Sequence, residues 1–192
     1  MCGRYYADDE TIREIKKIVR EVDEKIKRKG GDVYPSQPAA VLAGRGTQLH
    51  AEEMYWGFPQ YNRKGLLINA RAETVLDRKT FRDSVLHRRC MIPAKHFYEW
   101  DTAKNKVIFS RADSRVLYMA GFYRQFQGEN HFVILTTQAN ASVEQVHNRM
   151  PLVLEEGELE DWVYDDEFLG FALHKTPPQL RRYQEYEQQS LF

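Results

Sequence analysis

The second residue of the chain is a cysteine, in the sequence Met1-Cys2-Gly3-Arg4. Removal of Met1 would leave an amine and a thiol on one residue, with pKa values of about 8 and about 8.5. With an aldehyde, the amine of such an aminothiol forms an imine, and the thiol then closes on the imine carbon as a five-membered thiazolidine. Cys2 is therefore a candidate nucleophile. Its alternative role is that of a small buried residue at the start of a strand.

Three further segments carry polar residues that suit catalysis. Asn69 ends an apolar strand, where it can orient an amine without charging it or can simply cap the strand. Glu99 lies among aromatic residues, where burial would raise its pKa into a range useful for proton transfer; its alternative is a surface ion pair. His147 suits proton transfer near neutral pH, and its alternative is a hydrogen-bonded structural histidine.

Composition limits the class of protein. The 192 residues suit one domain, which we assign to residues 1–192. Lys+Arg and Asp+Glu both number 28, which argues against a general polyanion binder but allows a local basic groove. There is no secretory signal and no apolar stretch near the roughly 18 residues of a membrane span. We therefore expect a cytoplasmic protein that is not bound to membranes.

The cysteine and histidine patterns give no sign of a metal or a disulfide. The only cysteines are Cys2 and Cys90, and a cytosolic pair usually forms no bridge. The sequence has no C-x-x-C and no H-x-x-x-H spacing, so a zinc site is not expected. We predict no metal and no cofactor.

The apolar pattern predicts elements that could hold these groups. One amphipathic helix is predicted to begin at Asp8 or Asp9 and to end at Gly30-Gly31, on the spacing of Ile12, Ile15, Ile18, Val22 and Ile26. Strands are predicted at 39–43, 66–69, 90–100, 106–111, 116–126, 132–137 and 152–154, and helical segments within 73–89, before His147, and at 158–164 and 168–173. This order predicts a single α+β domain with a curved, barrel-like, mostly antiparallel β core flanked by helices.

The motifs, taken together, resemble those of the SOS response-associated peptidase (SRAP) family. Their joint occurrence in this order is specific, and it covers essentially the whole chain. They are Met1-Cys2-Gly3-Arg4, Tyr55-Trp56-Gly57-Phe58, Asn69-Ala70-Arg71-Ala72-Glu73-Thr74, Arg89-Cys90-Met91-Ile92-Pro93-Ala94 with Phe97-Tyr98-Glu99-Trp100, Ala120-Gly121, and Thr136-Thr137 with Ala139-Asn140 leading to His147-Asn148-Arg149-Met150-Pro151.

The resemblance implies an abasic-site sensor that crosslinks itself to single-stranded DNA and removes its own residues upstream of the cysteine. It also implies a lyase activity, a single α+β domain with a curved β core, and a positively charged DNA groove. The family's catalytic positions fall on Cys2, Asn69, Glu99 and His147. As a hypothesis, His147 opens the sugar ring, Asn69 positions the Cys2 amine, and Glu99 shuttles protons. We expect a monomer that acts on DNA in the nucleoid.

Candidate DNA contacts follow from residue type. Arg4, Arg71 and Arg149 could contact phosphates, and Trp56 could stack beside the gap left by the missing base or could pack in the core. The loop Asp32-Val33-Tyr34-Pro35-Ser36-Gln37 departs from the family's usual Asn-x-Ala-Pro-Thr-Gln. Lys95-His96 replaces a turn that is often Asp-Gly-like. These two residues either bind phosphate or are simply loop residues without a ligand.

Two other classes of function fit parts of the sequence. An N-terminal-nucleophile cysteine peptidase or amidase would use the same Cys2 as a thiolate that attacks a carbonyl. A non-catalytic single-stranded DNA-binding module would use the surface alone, and the zero net charge counts against it.

Overall fold

The computed structural model describes residues 2–19, 21–24, 26, 30–61, 63–113 and 115–184. Within these residues the strands are β1 Tyr5–Ala7, β2 Glu21–Val22, β3 Gly31–Val33, β4 Pro38–Arg45, β5 Gln48–Trp56, β6 Phe58–Pro59, β7 Leu66–Leu67, β8 Asn69–Arg71, β9 Arg89–Ala94, β10 His96–Trp100, β11 Lys106–Arg111, β12 Leu117–Phe126, β13 Glu129–Gln138, β14 Arg149–Pro151, β15 Val153–Leu154 and β16 Leu180–Gln184. The helices are α1 Asp9–Ile18, α2 Lys79–His87, α3 Leu159–Tyr164 and α4 Asp166–Ala172, with single 3₁₀ turns at Ala72–Thr74 and Glu156–Glu158. In this described part of the chain, no helix is long and apolar enough to span a bilayer.

Five strands close into a barrel, in the order β13–β12–β9–β4–β5. The four pairings along this path are antiparallel. The fifth pairing joins β5 to β13 in parallel, with Tyr55 opposite His131 and Trp56 opposite Phe132. Closure of the ring covers strand edges that would otherwise be open. The predicted α+β domain with a barrel-like, mostly antiparallel core is confirmed.

A second, fully antiparallel sheet of five strands lies beside the barrel, in the order β16–β11–β10–β1–β3. The chain crosses from the barrel to this sheet at Lys95, between β9 and β10, where the Lys95 amide donates to the Tyr6 carbonyl over 2.8 Å. Cys2 precedes β1, and Glu99 lies on β10. The pairing of these two strands therefore brings the two residues to the same part of the sheet.

The central strand β9 is buried along its whole length, because both of its faces are covered. Met91 packs in a cluster that includes residues of α1, α2, α3 and α4. Its neighbours Cys90 and Ile92 pack in a second cluster, which includes the inward side chains of the second sheet, such as Phe97. Neighbouring strand residues point to opposite faces, so β9 links the two clusters of the core.

The first predicted helix was correct at its start and wrong at its end. Asp8 caps α1 and forms a capping box with Thr11. The helix ends at Ile18, because the backbone of Val19 is extended. Val22 then pairs in parallel with β5. The three- and four-residue spacing of apolar residues therefore continues past the end of α1, where pairing with β5, and not this spacing, determines the backbone.

Two other predictions need correction. The helix expected before His147 is a series of turns over 141–146, in which the side chain of Asn140 accepts from the amide and hydroxyl of Ser142. Such a side-chain cap competes with a regular helix. A strand at Gln48–Trp56 was not predicted, although these residues form β5 and close the barrel.

Arg89 joins α3 and α4 to the barrel. Its side chain is 3% exposed and donates to the carbonyl oxygens of Trp162 (2.6 Å), Leu86 (3.0 Å) and Val163 (3.2 Å), and to Asp166 (2.8 Å). We expect Arg89→Met to lower the free energy of unfolding by about 3 kcal/mol, because it leaves buried carbonyl groups without donors. Urea unfolding followed by tryptophan fluorescence measures this loss.

Asp166→Asn is the matched control, because the Asp166 side chain is 82% exposed and should change the same free energy by less than about 1 kcal/mol. Equal losses for the two variants would show that the ion pair, and not the carbonyl contacts, holds the helices to the barrel.

Candidate active site

The site is built where β8 approaches the start of the chain. β8 runs parallel to β13, with Asn69 opposite Ile134. This pairing places the Asn69 side chain next to Cys2, which lies shortly before β1. Asn69 Nδ2 donates to the carbonyl oxygen of Cys2 over 2.8 Å. The backbone of Cys2 is thus held by a side chain from a different part of the fold.

The other end of the same amide group is available to a ligand. Asn69 Oδ1 is buried and has no hydrogen-bond partner among the residues that the structure describes. Burying a carbonyl oxygen without a donor costs about 1–3 kcal/mol, so such an atom beside a candidate nucleophile is informative. An amine or hydroxyl group that entered here could donate to it.

The thiol of Cys2 lies in a dry environment. Cys2 is completely buried, and its Sγ lies 3.8 Å from the carbonyl oxygen of Arg4. Burial raises the pKa of the Cys2 thiol, and the negative charge of nearby Glu99 raises it further. The thiol therefore stays protonated at neutral pH, unlike the low-pKa thiolates of cysteine hydrolases.

Glu99 is buried on β10, opposite Val107, and is 3% exposed. This burial excludes the alternative of a surface ion pair. Burial raises the pKa of the Glu99 carboxyl group, and the charge of His147 opposes that rise. Cys2, Glu99 and His147 therefore interact electrostatically in one place, although they come from three separate segments of the sequence.

His147 is oriented by the backbone of Arg149. The Arg149 amide donates to His147 Nδ1 over 3.0 Å, and the Arg149 carbonyl oxygen lies 3.2 Å from the same nitrogen. A neutral Nδ1 can accept the first bond, and a protonated Nδ1 can donate the second. These two backbone contacts fix the orientation of the ring.

The four predicted residues supply a thiol, an amide, a carboxyl group and an imidazole, and they do not form a metal site. Within the described ranges, no group of three or more His, Cys, Asp or Glu side chains is arranged to hold a metal ion. What the arrangement can do is hold an amine at Asn69 and move protons through Glu99 and His147.

The sequence matches the family described as SOS response associated peptidase (SRAP) over residues 1–185. The chain belongs to the SRAP family. Among similar proteins, the abasic site processing protein YoqW of Bacillus subtilis is 28% identical over 179 residues, which cover 85% of this chain and 80% of YoqW. The abasic site processing protein YedK of Escherichia coli is 30% identical over 141 residues, covering 69% of this chain and 63% of YedK.

Solved structures share the same SRAP fold. A crystal structure of a protein from Bacteroides thetaiotaomicron matches with a TM-score of 0.80 and 20% identity, covering 97% of this chain and 93% of that protein. One from Bordetella bronchiseptica also has a TM-score of 0.80, with 23% identity and coverage of 96% and 100%. At these identities the likeness supports the fold alone.

The three arginines predicted to contact DNA differ in this SRAP structure. Arg4 forms an ion pair with Asp32. Arg149 forms a two-pronged ion pair with Glu73, at 2.5 and 2.9 Å, and donates to the Thr136 carbonyl over 2.6 Å. The guanidinium groups of Arg4 and Arg149 are thus each paired with a carboxylate, whereas Arg71 is exposed.

The prediction that Trp56 stacks on DNA is wrong for this structure. Trp56 is completely buried, and its indole N–H donates to the Ile68 carbonyl over 3.0 Å. Its ring packs 5.3 Å from that of Tyr5 and 6.2 Å from that of Phe132. The alternation of β5 points this side chain into the core.

Lys95 and His96, for which phosphate binding was one of two predicted roles, make contacts within the protein. Lys95 Nζ pairs with Asp8 at 3.0 Å and with Glu10 at 2.6 Å, at the start of α1. His96 stacks on Tyr6 at 4.9 Å, and its Nε2 lies 2.9 Å from the Tyr98 hydroxyl. Both side chains serve contacts within the protein.

The bond between Asn69 and Cys2 predicts how firmly the start of the chain is held. We expect Asn69→Ala to speed amide exchange in the peptide that follows Cys2 by about fivefold, the equivalent of one net hydrogen bond. Hydrogen–deuterium exchange with mass spectrometry measures it. Asn105→Ala, which removes an exposed bond to Asp101, is the control and should leave that peptide unchanged. Unchanged exchange in Asn69→Ala would show that other contacts hold Cys2.

Proposed function

We propose that this protein processes abasic sites in single-stranded DNA by forming a thiazolidine between Cys2 and the opened deoxyribose. Membership of the SRAP family supports the proposal, as do relatives named abasic site processing proteins. The observation that carries it is the contact between Asn69 and Cys2. The Asn69 amide group donates to the Cys2 carbonyl oxygen through Nδ2, and its buried Oδ1 can accept a hydrogen bond beside Cys2. The acting unit is a monomer with single-stranded DNA as its partner.

The chemistry needs the α-amine of Cys2, so Met1 is removed first, by the protein's own site. The amine then donates to Asn69 Oδ1, which orients its lone pair without quenching it. An amide suits this task better than a carboxylate, because a negative charge would favour the protonated, unreactive ammonium form.

The reaction then proceeds in two condensations. His147 moves the proton that opens the deoxyribose ring to its aldehyde. The Cys2 amine attacks the aldehyde carbon, and loss of one water gives an imine. The Cys2 sulfur adds to the imine carbon, and the thiol proton passes through Glu99 to the imine nitrogen. One C–N and one C–S bond form, no oxidant is needed, and the reverse steps release the DNA.

The raised pKa of the buried thiol fits this order of events. A neutral thiol does not compete with the amine for the aldehyde, and it reacts only when the imine holds the carbon next to it. The same feature disfavours the peptidase or amidase alternative for a substrate other than the chain itself, because that reaction needs a thiolate at the start.

Substitutions of Cys2 separate the amine from the thiol. With Met1 removed, we expect the wild type to give a heat-stable adduct with single-stranded DNA that carries one abasic site. Cys2→Ser should give only an imine, which borohydride traps, because its hydroxyl is a much weaker nucleophile. Denaturing gels with and without borohydride measure this, and intact mass reports the state of Met1.

A heat-stable adduct from Cys2→Ser would contradict the thiazolidine. Peptide turnover without any DNA adduct would instead support the hydrolase, and DNA binding that is unchanged in Cys2→Ala, with no adduct in the wild type, would support a non-catalytic binding module.

The raised pKa of Glu99 predicts the pH dependence of the reaction. As a base, Glu99 works only when ionised, so the crosslinking rate should rise with pH through a pKa above the ordinary carboxyl value of about 4.3. In Glu99→Gln the crosslinking rate should not show this rise with pH, and it should be about a hundredfold lower near neutral pH. Single-turnover rates between about pH 4.5 and pH 8 on a series of buffers measure both effects.

Glu160→Gln, an exposed position on α3, is the control for loss of one carboxylate and should keep the wild-type profile. If Glu99→Gln also kept that profile, another group would be the base.

A further inference from the structure

Tyr34 is an exposed aromatic residue with a cation against its ring. It is 42% exposed, and the guanidinium carbon of Arg4 lies 5.0 Å from the centroid of its ring. The same guanidinium lies 4.6 Å from the ring of Tyr98. Arg4 is fixed by its ion pair with Asp32, which also accepts from the Tyr98 hydroxyl over 2.8 Å. A cation near an aromatic ring holds it by cation–π attraction.

The backbone around Tyr34 is tied to the barrel. The Ser36 amide donates to the Trp56 carbonyl over 2.8 Å, and the Trp56 amide donates to the Gln37 carbonyl over 3.0 Å. The Gln37 side chain accepts from the Tyr34 amide over 3.1 Å, and Ser36 adopts a left-handed φ of 71°. A ring held on such a turn loses little conformational freedom when it binds a ligand.

Two separate connections place this turn at the border of the candidate active site. On one side, Arg4 is two residues from Cys2, and its carbonyl oxygen lies 3.8 Å from the sulfur. On the other side, the indole of Trp56 bonds to the carbonyl of Ile68, the residue before Asn69, which holds Cys2. A DNA strand that delivered a sugar to Cys2 would pass this border.

We propose that Tyr34 stacks on the nucleobase next to the abasic site and so selects the sequence around the lesion. This inference rests on the proposed function, because it takes single-stranded DNA as the ligand. An abasic site leaves its neighbouring base with one unstacked face, and an exposed aromatic ring can cover that face. Purines offer the larger surface, so a purine neighbour is favoured. Tyr34, and not the buried Trp56, would then be the aromatic residue that stacks on the DNA.

The test separates binding from chemistry. Single-stranded oligonucleotides carry a tetrahydrofuran abasic analogue, which cannot open to an aldehyde, with either adenine or a second abasic analogue on each side in turn. The wild type should bind the oligonucleotide with the favourable adenine neighbour more tightly than the one without a neighbouring base. Tyr34→Ala should weaken only the adenine complex, by roughly fivefold to a hundredfold, and Tyr34→Phe should keep the wild-type Kd.

Phe171→Ala is the matched control, because Phe171 is an exposed aromatic residue on α4, at 62%, and its Kd should equal that of the wild type. A second control is the reaction of each variant with free 2-deoxyribose, a small aldehyde that offers no base to stack on. Tyr34→Ala should form this thiazolidine at the wild-type rate, which shows that the site around Cys2 is intact.

The outcomes distinguish this inference from the proposed function. If the wild type forms no adduct with abasic DNA, the proposed function fails. If the wild type forms the adduct and Tyr34→Ala binds both oligonucleotides as the wild type does, the stacking role of Tyr34 is overturned. Equal weakening on both oligonucleotides would overturn it as well, since a loop defect would then explain the loss.

Discussion

One hydrogen bond, from Asn69 to the Cys2 carbonyl, joins residues 67 positions apart, and the arrangement of the site depends on it. Asn69 reaches Cys2 because β8 lies parallel to β13, and β13 is also the strand through which the barrel closes on β5. The same strand pairs with β14, which begins at Arg149 beside His147. Barrel closure and site geometry thus share one strand.

The site combines low polarity with groups that exchange protons. Cys2 and Glu99 are both buried, and burial raises the pKa of each, so neither carries a charge as readily as it would in water. His147 is only partly buried, and the backbone of Arg149 orients its ring. Water is excluded by side chains from two sheets, because Cys2 packs in a cluster that contains inward residues of both the barrel and the second sheet.

Much of the architecture was predictable, and the failures have physical causes. The strands between residues 90 and 137 were predicted because β-branched and aromatic runs alternate with clear turns, as in Glu129–Gln138. The short strand at Arg149–Pro151 and the last strand at Leu180–Gln184 were not predicted. β5 was missed because Glu52 and Glu53 interrupt its apolar pattern, although Glu52 is bound by Asn130 and His50 in the fold. Residue type marked Cys2, Asn69, Glu99 and His147, but only the tertiary structure reveals that Trp56 is buried and Tyr34 exposed.

The complete burial of Cys2 has a consequence for how the protein is handled in the laboratory. A purification tag fused ahead of Met1 would have to be accommodated where the chain enters the core, and it would mask the amine. Any such extension would block the proposed condensation until cleavage after Met1 frees the Cys2 amine.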